Sequence, residues 1–148
     1  MTTIVYREGT LAADSGVFDR GVQCGTVRKI AKSPSGSMGG VAGCLGDSAA
    51  FLGWLKSGAE GEPPEFKDDE SEGILVSPDG KVEWIGRGRK RFEIKADYYA
   101  IGSGFAVAMG ALEAGAGATT AIRIACKLDV YTSLPFTHLH LNENAEPR

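Results

Sequence analysis

Thr2 follows Met1, and removal of that methionine would leave a threonine with a free α-amino group beside its own hydroxyl. An α-amino group titrates at about pH 7.7–8.0, so at physiological pH a useful fraction is neutral and can accept the hydroxyl proton, directly or through water. One residue then supplies both nucleophile and base. The chain continues as Thr3-Ile4-Val5-Tyr6-Arg7, then Glu8-Gly9, then Thr10-Leu11-Ala12-Ala13-Asp14-Ser15. Two short extended runs around a glycine-containing turn read as a β-hairpin. A two-residue loop at Glu8-Gly9 puts Thr3 opposite Asp14, and a three-residue loop puts Thr2 there; either register returns a carboxylate to the N-terminus. Lys29 opens a later extended run, Lys29-Ile30-Ala31-Lys32. Its charge would lower the pKa of the Thr2 amine and stabilise the alkoxide, with Asp14 holding the lysine charged and in place. Spacing alone leaves a plainer alternative open, in which Thr2 is an ordinary β-former and Asp14 and Lys29 are solvated strand ends.

Other groupings invite chemistry and are read structurally. Gly102-Ser103-Gly104 stands before a helical stretch like a phosphate cradle, but the rest of a nucleotide fingerprint is missing, so it is a helix-start turn. His138 and His140 fall on one face of the final strand without a Cys or carboxylate at ligand spacing, which reads as a solvated face and no metal site. Arg87-Gly88-Arg89-Lys90-Arg91, in a chain of net charge −3, reads as a solvated face or as a complement to the acidic loop of a neighbouring copy, rather than a nucleic-acid contact. Asp47-Ser48 reads as a helix cap.

Positioning these residues requires a set of hairpins and helices. After the first hairpin comes a Gly-rich connection over residues 16–25, a strand at 29–32 and a turn at Ser33-Pro34-Ser35-Gly36. The small and apolar run 37–45 suits a strand buried on both faces. A helix follows, with Phe51, Leu52 and Leu55 on its apolar side and closure at Gly58. Residues 58–73 carry seven acidic side chains and Pro63-Pro64 and read as a solvated loop. Ile74-Leu75-Val76 and Val82-Glu83-Trp84-Ile85 flank Ser77-Pro78-Asp79-Gly80-Lys81, a strong hairpin signal. A strand at 98–101 leads into a helix over about 105–114, a second helix spans 118–128, and the alternating run 136–141 is the last strand, with a polar tail from Asn142. Hairpins with three helices make sheets covered by helices, not an alternating βαβ chain.

Composition agrees. The 148 residues fit one domain, 1–148, and 43% apolar with 24% charged residues excludes a disordered chain or a fibre. Sixteen basic against 19 acidic side chains argue against a nucleic-acid or anionic-membrane partner. Cys24, Cys44 and Cys126 are widely spaced and odd in number, so they read as small apolar residues in a reducing compartment. No run of about 18 apolar residues exists and the N-terminus lacks signal-peptide regions, so a cytoplasmic protein is expected.

Six short pieces occur in one order: Thr2-Thr3-Ile4-Val5; Ala12-Ala13-Asp14-Ser15; Arg28-Lys29-Ile30; Val41-Ala42-Gly43 with Gly46-Asp47; Ala100-Ile101-Gly102-Ser103-Gly104; and Asp129 followed three residues on by Thr132. Together they resemble the proteasome β-subunit family of N-terminal-nucleophile hydrolases, particularly the bacterial ring-forming threonine peptidase that works with an AAA+ unfoldase. The likeness spans about Thr2 to Leu141.

The resemblance implies an α+β fold, a four-layer αββα sandwich with a reduced helical layer. It implies a threonine-type endopeptidase in a self-compartmentalised homo-oligomeric ring, acting on peptides or unfolded proteins, with no cofactor. Thr2 would be the nucleophile and Asp14 with Lys29 its tuning pair. The Gly43 N–H would serve the oxyanion, Ser103 and Asp129 would complete the polar network at the amine, and Val27, Val41 and Leu45 would line an apolar first specificity pocket. A catalytically inactive ring subunit and a small-molecule amidase are the alternatives of the same fold. Three departures stand out. Asp129-Val130-Tyr131-Thr132-Ser133 replaces the usual Asp-x-x-Ser-Gly, the first hairpin is short, and the acidic loop takes the place of a second long helix that contributes to ring contacts in relatives. With only Met1 before Thr2, activity would depend on removing it.

Overall fold

The computed structural model describes residues 1–141; the expected polar tail from Asn142 lies outside the described residues. The first hairpin joins β1 (Thr3–Arg7) to β2 (Thr10–Ala13) through Glu8 and Gly9, both at positive φ, with Arg7 paired to Thr10 and Ile4 to Ala13. This is the two-residue register, and the Asp14 N–H donates to the Thr3 carbonyl at 3.2 Å. The Gly-rich stretch expected to be a connection is itself a hairpin, β3 (Gly16–Asp19) and β4 (Val22–Thr26), turning at Arg20 and Gly21. It stands apart as a two-stranded sheet with β4 exposed throughout, which is why no burial pattern announces it.

β5 (Ile30–Lys32) and β6 (Met38–Ala42) precede helix α1 (Leu45–Lys56). β7 (Glu72–Val76), β8 (Val82–Ile85) and β9 (Arg91–Ile94) extend them into a five-stranded antiparallel meander, β5-β6-β7-β8-β9. β10 (Tyr98–Gly102), helices α2 (Phe105–Glu113) and α3 (Ala118–Leu128), and β11 (Thr137–His140) follow, and a second antiparallel sheet runs β10-β1-β2-β11.

The period-two pattern of the strands sorts side chains into separate cores. Ile4, Tyr6, Leu11, Ala13 and Ile101 face Ile30, Met38, Ile74 and Val76 of the meander. From the opposite face, Val5, Ala12 and Ala100 meet Ala108, Leu112, Ala121 and Ile122 of α2 and α3, where the alanines let the helices approach closely. Ala31, Val41 and Leu75 pack on Phe51, Leu52 and Leu55 of α1. The described residues are thus α+β, with three α-helices on antiparallel sheets.

Two expectations for the acidic stretch change. Residues 58–71 are irregular, but Phe66 is 2% exposed and packs against Phe51, so the loop is pinned to α1 rather than solvated along its length. The basic stretch meets it within the same chain: Arg87 pairs with Asp69, Arg89 lies 3.8 Å from Glu65, and Arg89 Nε donates to the Pro63 carbonyl at 3.1 Å. Opposite charges 18 and 24 residues apart close on one another because the β7-β8-β9 meander returns the chain to that side. Among the described residues no helix is long and apolar enough to cross a membrane.

Candidate active site

The hairpin and β5 bring two opposite charges into the interior beside the N-terminus. Asp14 and Lys29 are 0% and 1% exposed. Lys29 Nζ donates to both Asp14 oxygens at 3.1 Å and to the Met1 carbonyl at 2.8 Å. Asp14 is held on its other sides by the Thr3 N–H at 3.0 Å and the Ser133 N–H at 3.1 Å. A buried carboxylate with this many donors is satisfied, as a buried charge must be. Burial pushes the Lys29 pKa below its ordinary value, with Asp14 opposing. The amino terminus is likewise lowered, by burial first and then by Lys29, with Asp14 and Asp129 opposing. The Met1 carbonyl that Lys29 touches is bonded to the Thr2 nitrogen, so the lysine stands at the peptide unit whose removal would free the Thr2 amine.

A second polar group converges from β10, α3 and the loop after it. The Ser103 N–H donates to the Thr2 carbonyl at 2.8 Å, and Ser103 Oγ donates to Asp129 Oδ2 at 2.8 Å. Thr132 Oγ1 donates to the same Oδ2 at 2.5 Å. The Ser133 that stands where a glycine was expected contributes its backbone N–H to Asp14 and turns its hydroxyl to Gln23 of β4, so the contact to Asp14 does not depend on the side chain.

Thr2, Gly43 and Ser103 line one cavity of about 210 Å³, with Glu70 and Glu72 on its wall. Gly43 is exposed at the end of β6 at φ +136°, and a Cβ there would stand 2.6 Å from Ser71 Oγ and 2.7 Å from Ser71 Cα. Glycine is therefore required, both by the backbone conformation and by the close approach. Ser71 Oγ in turn accepts the Cys44 N–H at 3.1 Å and donates to Asp47 Oδ2 at 2.8 Å.

Asp47 is not the cap of α1, which starts at Leu45 after Cys44. Its buried carboxylate instead takes the Lys67 and Asp68 N–H groups at 2.9 and 3.1 Å, tying the acidic loop, and through Ser71 the Gly43 turn, to the first turn of α1. Sequence reasoning missed this role, because nothing local in the sequence separates a carboxylate that caps from one that clamps a loop some 20 residues away.

Val27 and Leu45 line a second, mainly apolar cavity of about 470 Å³ with Ala49 and Leu52, and Arg28 and Lys56 stand on its wall. Val41, expected beside them, is 1% exposed in the α1 core; it faces the helix because its neighbours Gly40 and Ala42 take the opposite side of β6. Cys126 is a nucleophile type near the charge pair, but burial, then Asp14, push its thiol up to about 11, away from the thiolate that a nucleophile needs. His140 Nδ1 lies 2.9 Å from Thr10 Oγ1 and its ring 5.0 Å from that of His138. Among the described residues no group of three His, Cys, Asp or Glu is placed to hold a metal.

No protein-family profile and no curated protein matches the sequence. Solved structures do match in fold. Thiobacillus denitrificans BPH in complex with epoxomicin superposes with a TM-score of 0.68 at 18% identity, covering 95% of this chain and 98% of that one. Thiobacillus denitrificans BPH gives 0.65 at 19% identity over the same shares. Nearly end to end, this chain has the fold of a bacterial proteasome homologue.

Proposed function

We propose that this chain is a single-domain threonine peptidase of the proteasome type, built as an αββα sandwich with a reduced helical layer. Thr2, freed by removal of Met1, attacks the substrate carbonyl through Oγ1, and its α-amino group takes the hydroxyl proton. Lys29 keeps that amine from holding a proton too tightly and favours the alkoxide, while Asp14 keeps Lys29 charged. The Gly43 N–H receives the oxyanion, a donor of a kind whose loss costs about 10²–10³ in rate. The protonated amine then gives its proton to the leaving amine, an ester on Thr2 remains, and water activated by the same amine hydrolyses it. Ser103 and Asp129 hold the amine's surroundings.

The observation that carries this reading is the buried Lys29, whose Nζ sits 2.8 Å from the carbonyl bonded to the Thr2 nitrogen. The cavity at Val27 and Leu45 supports an apolar side chain before the cut. Exposed Leu128, Val130 and Leu134 are surface that a neighbouring copy in a homo-oligomeric ring would cover. An AAA+ unfoldase feeding unfolded chains is part of the same proposal.

The test is hydrolysis of apolar fluorogenic peptides by Met1-free protein and by its Thr2→Ala variant. Turnover by the first and none by the second is the expected result; equal turnover overturns the reading. Turnover of acyl amides alone would make the chain an amidase, and inactivity toward both would make it a ring subunit without catalysis.

A further inference from the structure

We infer that Thr3 is a positioning residue for Thr2, acting through a one-way hydrogen-bond chain that ends on Asp129; the inference rests on the peptidase reading above. Thr3 is 0% exposed, and each of its polar groups is committed. Its N–H donates to Asp14 Oδ1 at 3.0 Å and its carbonyl accepts the Asp14 N–H at 3.2 Å. Its hydroxyl accepts the Gly104 N–H at 2.8 Å and lies 2.7 Å from Thr132 Oγ1.

The direction of that last bond follows from its neighbours. An ionised carboxylate only accepts, so Thr132 gives its single hydroxyl proton to Asp129 Oδ2 at 2.5 Å. Thr132 must then accept from Thr3, whose oxygen accepts from Gly104. Protons are thus committed in one sense along the whole chain, from the Gly104 N–H through Thr3 and Thr132 to Asp129. Gly104 is close enough to donate only because it lacks a side chain: a Cβ would stand 2.6 Å from Thr3 Oγ1.

With the Ser103 N–H on the Thr2 carbonyl at 2.8 Å, the peptide unit after the nucleophile is gripped at its carbonyl, at its N–H and at the following side chain. Such a grip fixes the direction in which Thr2 presents its hydroxyl and amine. A displacement of about 1 Å at a nucleophile can cost about 10²-fold in rate. Valine has the shape of threonine but can neither take the Gly104 N–H nor donate to Thr132, whereas serine can do both.

The experiment compares Thr3→Val, Thr3→Ser, Thr132→Val and the double valine variant in Met1-free protein. It reads kcat and KM on an apolar fluorogenic peptide and the rate at which an electrophilic peptide inhibitor forms a covalent adduct. Thr3→Val and Thr132→Val are each expected to lower kcat and the adduct rate by about 10- to 100-fold with KM changed less than about twofold. Thr3→Ser should stay within about threefold of the parent, and the double variant should be no worse than the poorer single one, because both singles break one chain. Parent-like adduct rates in Thr3→Val, or single effects that multiply, overturn the inference. Should Thr3→Val fail to fold, Thr132→Val reads the same bond from its other end, with Thr132→Ser as its rescue. The two levels separate cleanly: an active Thr2→Ala removes the parent reading, whereas an inactive Thr2→Ala with a fully active Thr3→Val removes only this inference.

Discussion

Lys29 Nζ stands 3.1 Å from each oxygen of Asp14, and both side chains are sealed from solvent. Removing one partner of such a pair strands the other charge in the interior, a loss of about 3–5 kcal/mol, while removing both is less costly. Asp14→Leu and Lys29→Met are each expected to lower the unfolding free energy by that order. The double variant should recover part of the loss without recovering activity, since the Thr3 and Ser133 N–H groups then still lack their acceptor. Chemical denaturation of the three variants, beside peptide turnover, checks both statements.

The pH profile reports the base. Burial, then Lys29, hold the Met1 amine below its ordinary 8.0, with Asp14 and Asp129 opposing. The Thr2 nitrogen is bonded to the carbonyl that Lys29 Nζ touches, so the same influences are expected to act on the Thr2 amine once Met1 is removed. An amine acting as base must be neutral, so kcat/KM rises as pH rises through its pKa, and the midpoint of that ascending limb is expected below 8.0. Asp129→Asn removes an influence that favours the protonated amine, so its limb should move to lower pH whatever happens to the plateau. A limb moving to higher pH contradicts this.

Asp47 governs stability at acid pH. Burial raises its pKa, but the Lys67 N–H, the Ser71 hydroxyl and the Asp68 N–H together more than offset that and hold it below the ordinary 3.8. The folded state therefore binds the proton less readily than the unfolded one, so the contribution is complete above pH 3.8 and is lost as pH falls through the lowered folded value. Asp47→Ala is expected to cost about 2–3 kcal/mol at neutral pH. The Tm difference from the parent should narrow as the medium is acidified below about pH 4.

The Arg87–Asp69 and Arg89–Glu65 pairs are exposed at both ends. Exposed pairs contribute about 0–1 kcal/mol and are screened by salt. Replacing Arg87 and Arg89 with alanine should therefore shift Tm slightly, less so at high salt, and leave peptide turnover unchanged.

How much of this was legible in the sequence depended on whether a residue's partner lay nearby along the chain. Hairpin spacing alone returned Asp14 to the N-terminus, and the two-residue turn at Glu8 and Gly9 settled the register. The β7–β8 hairpin and the α2–α3 pair were readable from turn residues and helical period. β3 and β4 were not, because they bury too little for alternation to appear, and β9 was hidden by the basic run at its start. Asp47 and Ser71 show the limit for the site: their bond joins residues 24 apart across the rest of α1 and an irregular loop, and residue type alone does not tell a clamp from a cap. Arg87 and Arg89 met the acidic loop of their own chain for the same reason, since only the folded meander brings the two stretches together.

Thr2, its amine freed, is the proposed nucleophile. Incubating Met1-free protein with an electrophilic peptide inhibitor, then measuring intact mass and mapping the modified peptide by tandem mass spectrometry, addresses this without reliance on turnover. One adduct per chain is expected, carried by Thr2 and absent from Thr2→Ala and from protein that keeps Met1. An adduct on another residue, or none on Met1-free protein, would contradict that assignment.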